Sequence, residues 1–494
     1  MIRRSGALLA MTALAGCSFE PAYHRPAPAV PAALPDAGQG EALAKLDYRE
    51  VFRDPRLITL IDRALANNQD LKAALANVRS ARALVTVARA DLLPQLDGSA
   101  GLTTTGDSSN ETRGGVGGGT TGAGGGGNGA STGGRRTTYN ADLGVSWEID
   151  LFGRLRSLNN AAFNSYLGSE AAQRGARLSL VAGVANAYLA LAADRSLLAI
   201  ATETRTSAAK SVELTQALLK GGVAPRTDLR QAETVLAQAE ADEASLETAV
   251  AQDRNALQLL VGTTIEEELL PASIESLDGQ LTEVPAGLDS SILLRRPDVV
   301  ESEYALRAAN ARIGAARAAF FPRIGLTALA GFASSALSSL FQGSAFTWSV
   351  APSATVPIFD GGANLGNLRY SKAQRDLALA NYQKAIQSAF RDVADALARR
   401  ATIDRQLAAS TRLDASARDS LFLANARYRE GIDPYLNMLD AQRTAYGAAR
   451  TLTQARLLKA QNLVTLYQAL GGDQLIDTEA TGKGRNRAWP EDAQ

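Results

Sequence analysis

The chain has 494 residues but only one histidine, His24, and one cysteine, Cys17. Metal centres built from His and Cys clusters are therefore excluded, as are His-based catalytic triads and intrachain disulfides. No paired acids stand beside a nucleophile motif. The glycine-rich run after residue 106 is not followed by Gly-Lys-Ser/Thr, so it does not read as a phosphate loop. Net charge is also lacking. Lys plus Arg and Asp plus Glu are 51 each, which gives no electrostatic reason to expect a nucleic-acid partner. The residues thus predict no enzyme, no cofactor and no metal. With 46% hydrophobic and 21% charged residues, the chain reads as neither disordered nor a polytopic bundle of membrane helices. It is too long for one ordinary compact core.

The first residues, MIRRSGALLAMTALAGCS, carry Arg3 and Arg4, a short apolar core and small residues before Cys17. That is the order of a secretory signal, too short to span a bilayer. Leu14–Cys17 reads LAGC, which resembles a bacterial lipobox, so residues 1–16 are expected to be removed and Cys17 to be lipidated. Ser18 in place of an acid after the cysteine favours the outer membrane. Residues 17–50 are rich in Pro and Ala and read as an extended segment.

Beyond this point the chain repeats itself. Asp54-Pro55 opens a helical pattern that breaks near Asn67-Asn68 and stops before Pro94. Strands are expected at about 95–105 and 138–151, separated by a glycine-rich loop, 106–136. A long helix follows over 154–220, then the turn Gly222-Val223-Ala224-Pro225 and a helix over 226–261 that ends at Gly262. After a linker, 271–290, the order recurs. A helix starts at Pro297 and ends before Pro322, and strands are expected at about 323–334 and 345–358. A long helix over 362–430, the turn Gly431-Ile432-Asp433-Pro434 and a helix over 435–470 complete the second copy. Pro434 follows Pro225 by 209 residues, and Gly471 follows Gly262 by the same number. Leu151-Phe152 and Ile358-Phe359 are 207 apart, whereas Pro94 and Pro322 are 228 apart. The excess falls at the glycine loop. The repeats are thus expected at 51–270 and 291–472, followed by a polar tail, 473–494.

Helices of nearly 70 residues reach about 100 Å at 1.5 Å per residue. No compact core buries such a rod, so it must pack laterally. Tyr382, Ile386, Ala389, Val393 and Ala396 step by four and three, as in a coiled coil. The strands instead alternate. Leu143, Val145, Trp147 and Ile149 share one side, and Phe346, Trp348 and Val350 another such side, a pattern suited to lipid. Trp147 and Trp348 are candidate interfacial anchors. Four strands cannot close a barrel alone, and open edges are not tolerated in lipid. Three chains sharing one barrel would supply twelve strands.

The lipobox, the strands after LLP and FFP, the duplicated turns and above all LLRRPDVVESEYALRAANARIGAARAAFFP (Leu293–Pro322) resemble the TolC-like outer-membrane factors, in their NodT- or OprM-like lipoprotein branch. The resemblance implies a mainly α homotrimer with a twelve-stranded β-barrel in outer-membrane lipid and a coiled-coil periplasmic α-barrel. It further implies the exit duct of a tripartite efflux pump, conducting small toxic compounds passively. The implied partners are a periplasmic adaptor and an RND-type inner-membrane transporter. The turns Gly222, Val223, Pro225 and Gly431, Ile432, Pro434 would form the adaptor-docking surface. Leu436, Asp440 and Arg443 match constriction residues of the family. Asn437 stands where some relatives have a second acid, and Thr227, beside Asp228, where close relatives tend to be apolar. Read from the residues alone, Pro297 and Asp298 simply start a helix. Polypeptide secretion through the same fold, or a lipid-anchored scaffold without a pore, are the alternatives.

Overall fold

A computed structural model describes residues 18–27, 30–31, 47–106, 135–282 and 290–476. The signal segment, Cys17, most of the glycine-rich loop and the end of the polar tail lie outside these residues. The helices are α1 (Tyr48–Val51), α2 (Pro55–Asn67), α3 (Gln69–Ala90), α4 (Arg154–Lys220), α5 (Arg226–Val261), α6 (Pro297–Ala318), α7 (Ala363–Arg429) and α8 (Tyr435–Ala469). The strands are β1 (Gln95–Gly106), β2 (Arg135–Ile149), β3 (Arg323–Ser334) and β4 (Phe346–Thr355). The order α3-β1-β2-α4-α5 recurs as α6-β3-β4-α7-α8.

Three strand boundaries differ from expectation. β2 ends at Ile149 and not at 151, where its ladder stops at the Ile149–Ile324 pair. β2 starts at Arg135, three residues before the alternation at 138 becomes visible, because Arg135 and Arg136 still find partners in Gly106 and Thr105. β4 ends at Thr355 and not at 358, although Val356 and Ile358 continue its alternation. Its neighbour β3 begins only at Arg323, after Pro322, so the ladder stops at the Arg323–Thr355 pair. Pro357 supplies no N–H to extend it.

The chain forms two compact units. One takes the described residues within Met1–Tyr23, Ala83–Phe163 and Ala308–Arg375; the other takes those within His24–Arg82, Asn164–Arg307 and Asp376–Gln494. In the first, all four strands form one antiparallel sheet in the order β1-β2-β3-β4. The extended residues 18–21 are bound to this unit. The Phe19 ring stacks on Phe321 with centroids 4.5 Å apart, and Phe152 stacks on Phe321 at 5.0 Å. Arg317 Nη1 donates to the Phe19 carbonyl (3.3 Å), Asn310 Nδ2 to the Pro21 carbonyl (2.8 Å) and Asn160 Nδ2 to Glu20 Oε2 (3.0 Å). Gly314 makes this passage possible, since a Cβ there would lie 2.8 Å from Glu20 Cα.

The second unit holds the largest apolar core. Leu60 and Ile61 of α2, Tyr188 and Leu191 of α4, and Leu257 of α5 are fully buried there. Asp54 caps α2 by accepting from the Arg56 N–H (2.9 Å), and the Tyr188 hydroxyl donates to its other oxygen (2.9 Å). The conspicuous RRPD segment has a structural task. Arg296 is 9% exposed, donates from Nη1 to the Ala469 carbonyl (2.7 Å) and makes a two-point pair with Asp298. It thereby satisfies a C-terminal carbonyl of α8, the kind of group a helix leaves without an internal partner. Glu303, 1% exposed, is held by Arg25 (2.5 Å) and Arg307 (2.6 Å).

Candidate functional site

The candidate site is the pair of helix-hairpin tips in the second unit, at 221–225 between α4 and α5 and at 430–434 between α7 and α8. Both turns are the same hydrogen-bonded object. The Val223 N–H bonds the Leu218 carbonyl (2.9 Å) and Gly222 bonds Leu219 (3.0 Å). At the second tip Ile432 bonds Arg427 (2.9 Å) and Gly431 bonds Tyr428 (3.0 Å). These i+5 and i+3 bonds form a Schellman motif, which places its C′ residue in the left-handed region. Gly222 and Gly431 occupy that position at φ +71° and +69°. Pro225 and Pro434 then sit at the N-caps of α5 and α8 with nearly equal dihedrals, φ −74° and −70°. The β-branched residues following each glycine are left in solvent, Val223 at 77% and Ile432 at 60% exposure.

Behind the turns lies a small apolar cluster of Ala232, Tyr428, Tyr435, Met438 and Leu439, with Val212 and Leu218 against it. Tyr428 and Tyr435 meet edge to face, centroids 5.4 Å apart. Burial pushes the Tyr435 phenol up to about 12, and its hydroxyl has no hydrogen-bond partner among the described residues. On the outer side of the second turn, Arg427 clasps Asp433 through Nε (2.7 Å) and Nη2 (3.0 Å). The bond to Arg427, and a weaker one to Asn437, hold the Asp433 carboxyl below the usual carboxylate range.

The structure separates the sequence-derived candidates into groups. Leu436, Asn437, Asp440 and Arg443 are all exposed on α8, Leu436 at 60%. Among the described residues Asp440 and Arg443 do not pair with each other. Arg443 instead lines a cavity of about 150 Å³ with Gln442 and Tyr446 of α8, Asp242 and Gln238 of α5 and Thr204 of α4. The Tyr446 hydroxyl donates to Asp242 Oδ2 (2.9 Å), a tie between α8 and α5. Gln442, 5% exposed, finds no partner for either amide atom among the described residues. In the first tip Thr227 is exposed and its hydroxyl lies 3.5 Å from Asp228 Oδ1, in the first turn of α5. The sequence missed the two tyrosines, the Arg427–Asp433 clasp and the Tyr446–Asp242 tie. The repeat offset carried a signal for the clasp, because the first tip has Leu218 and Ala224 at those two places.

In the first unit, the register divides the sheet into two unlike faces. Rows such as Leu96-Val145-Ala328-Val350 and Gly98-Leu143-Ala330-Trp348 run across all four strands. With Trp147, Ile149 and Phe346 they make one side apolar. The other carries Asp97, Ser99, Asp142, Ser146, Glu148, Thr327, Ser349 and Ser353, with Leu329 as its large apolar member. Phe346, Trp348, Val350 and Leu143 are 52–72% exposed, so the greasy side is uncovered within the chain. Trp147 differs from Trp348. It is half-buried, and its indole N–H donates to the Leu92 carbonyl (3.1 Å).

A sheet with one uncovered apolar face, joined in sequence to coiled-coil hairpins, is the architecture of an outer-membrane channel. Among known families, the outer membrane efflux protein family matches residues 60–263 and 288–472, and the chain belongs to it. The solvent efflux pump outer membrane protein SrpC of Pseudomonas putida is 41% identical to it over 482 residues, 94% of this chain and 97% of that protein. Outer membrane protein OprJ of Pseudomonas aeruginosa is 38% identical, with 95% of each covered. The crystal structure of the open state of the Neisseria gonorrhoeae MtrE outer membrane channel superposes with TM-score 0.79 at 36% identity, covering 94% of this chain and all of that one. The protein is thus an outer-membrane efflux channel and not an enzyme.

Proposed function

We propose that three copies associate through their sheets to close one twelve-stranded barrel, polar face inward, while the paired helices form a periplasmic tunnel. The observation that carries this reading is the four-strand register. It makes one face apolar from edge to edge yet leaves β1 and β4 without outer partners among the described residues, a combination lipid does not tolerate in a lone chain. Small toxic molecules pass through unchanged; relatives named for solvent, toluene and antibiotic efflux support cargo of that class. Cys17 carries the lipid anchor. An RND-type transporter in the inner membrane loads the duct through a periplasmic adaptor that docks on Gly222-Val223-Pro225 and Gly431-Ile432-Pro434, where Val223 and Ile432 stand in solvent.

The gate lies after Pro434. Asp440 on three copies makes an acidic ring, attractive to cations and within reach of arginines on neighbouring chains. Leu436 and Asn437 stand one turn nearer the tip, and Thr227 and Asp228 occupy the corresponding positions of the first hairpin. Replacing Asp440 and Arg443 together with Ala is expected to raise the leak conductance of the protein in a planar bilayer. Unchanged conductance removes these residues from the gate. A detergent-solubilised protein that stays monomeric ends the shared-barrel reading. Labelling with radioactive fatty acid is expected to vanish in Cys17→Ala.

A further inference from the structure

We propose that β4 of one copy pairs with β1 of the next in a single register, set by the internal repeat of the chain: Ser349 opposite Thr103 and Val350 opposite Leu102. This rests on the shared-barrel reading and adds to it which residues meet at the seam between copies.

One such seam lies inside the chain. β2 ends the first strand pair and β3 begins the second; they pair from Tyr139–Ser334 to Ile149–Ile324. The repeat maps β2 onto β4 by 207 residues, as Phe152 onto Phe359 shows, and β3 back onto β1 by 228, as Pro322 onto Pro94 shows. Under this mapping Leu143–Ala330 becomes Val350–Leu102, and Asp142–Gly331 becomes Ser349–Thr103.

The strand ends, the faces and the exposure of the residues at the foot of the seam agree with this register. The strand ends coincide. All ten residues of β4, Phe346 to Thr355, find partners on β1 from Gly106 to Asp97, with the loop-proximal ends together. The faces also agree. Leu102, Ala100 and Gly98 meet Val350, Pro352 and Ala354 on the apolar side, while Thr103, Ser99 and Asp97 meet Ser349, Ser353 and Thr355 on the polar side. A slip by one residue exchanges the two faces of one strand and puts Ser349 against Leu102. The third observation concerns the foot of the seam. Within the chain Phe152 covers Phe321 there. Their repeat counterparts, Phe359 and Leu93, are 92% and 60% exposed. In the proposed register they lie at the foot of the seam between copies, and each supplies the cover the other lacks.

The test is a disulfide scan of the full-length protein, with Ser349→Cys combined in turn with Thr103→Cys, Gly101→Cys and Thr105→Cys. Facing antiparallel residues lie within disulfide reach, at Cα separations of about 4.5–5.5 Å. Positions 103 and 349 of one chain sit on opposite edges, three strand spacings (roughly 14 Å) apart sideways and further apart along the strands, since the row of Ser349 runs through Leu329 and Gly144 to Asp97, so an intrachain bond cannot form. After mild oxidation, the 103/349 variant is expected to run as reductant-sensitive covalent dimers and trimers. The two slipped pairs should give about tenfold less, because a two-residue shift along a strand exceeds disulfide geometry. Single-cysteine variants control for bonds to Cys17. If a slipped pair cross-links in a native trimer and 103/349 does not, the register is overturned and the shared barrel stands. If every variant and the unmodified chain are monomeric, both are overturned.

Discussion

At the first hairpin tip Gly222 takes φ +71°, at the second Gly431 takes +69°, and the same two backbone bonds close each turn. Move 209 residues along from one to the other and the side chains change character. Leu219 becomes Tyr428, Arg226 becomes Tyr435, Leu218 and Ala224 become the Arg427–Asp433 clasp, and Gln231 becomes Asp440. The buried ring pair and the clasp both belong to the second tip. The comparison teaches that the turn is a shared backbone solution, while the packing and charge behind it were specified separately. The rings of the second tip pack on Ala232, Val212 and Leu218 of the first hairpin, so the two tips share one apolar cluster whose large members come from the second.

Hydrogen exchange of amides in the intact protein separates the two tips. Tyr435→Ala removes a ring that is 1% exposed and should loosen the second tip by about 3 kcal/mol, the order seen for buried aromatics cut to Ala. Tyr435→Phe should cost almost nothing or stabilise, because the lost hydroxyl is buried without a partner among the described residues. Equal losses from both variants would show that the hydroxyl, not the ring, matters. Next, Tyr446→Phe deletes the tie to the Asp242 carboxylate and should cost about 1–2 kcal/mol, felt on α5 and α8 together. Protection lost on α8 alone would mean that the tie does not couple the two helices.

The third variant pair sharpens the likeness. A Cβ at Gly222 or Gly431 meets nothing within 4 Å, so Ala there meets only the left-handed backbone. Each substitution should cost about 1–2 kcal/mol, and the two should match. A large difference would mean that the turns are not equivalent. Asp433→Asn should cost less than either glycine substitution, since the clasp is exposed and screened by salt. Its pH signature has a definite sign. The folded carboxyl titrates below its ordinary range, so its contribution is present above the unfolded value near 4 and fades as pH falls through the lower folded value. Acid lability that is unchanged in Asp433→Asn would remove the clasp from the account.

The helices were legible because proline and glycine punctuate them. Pro55, Pro225, Pro297 and Pro434 open helices where the sequence places them, and Gly262 closes one with φ +75°. Strand ends were less legible, since alternation records which way side chains point and not whether a neighbour is present. Val356 and Ile358 keep the period of β4 after its partner has run out. Within the tips the turn chemistry is local and could be read directly. The Tyr428–Tyr435 contact, the Tyr446–Asp242 tie and the cavity beside Arg443 join residues distant in sequence or set by helix rotation, which a single sequence does not encode visibly.

The binding of residues 18–21 has a consequence for time as well as for shape. Phe19 is fixed by Arg317, 298 positions later, and by the ring of Phe321; Pro21 is fixed by Asn310. A chain entering the periplasm from its N-terminus therefore presents these residues first and can seat them only after α6 has been delivered. Contacts of such long sequence separation form slowly. The seating of residues 18–21 waits for the middle of the chain, and docking of the Phe19 ring reports that α6 and Phe321 have arrived.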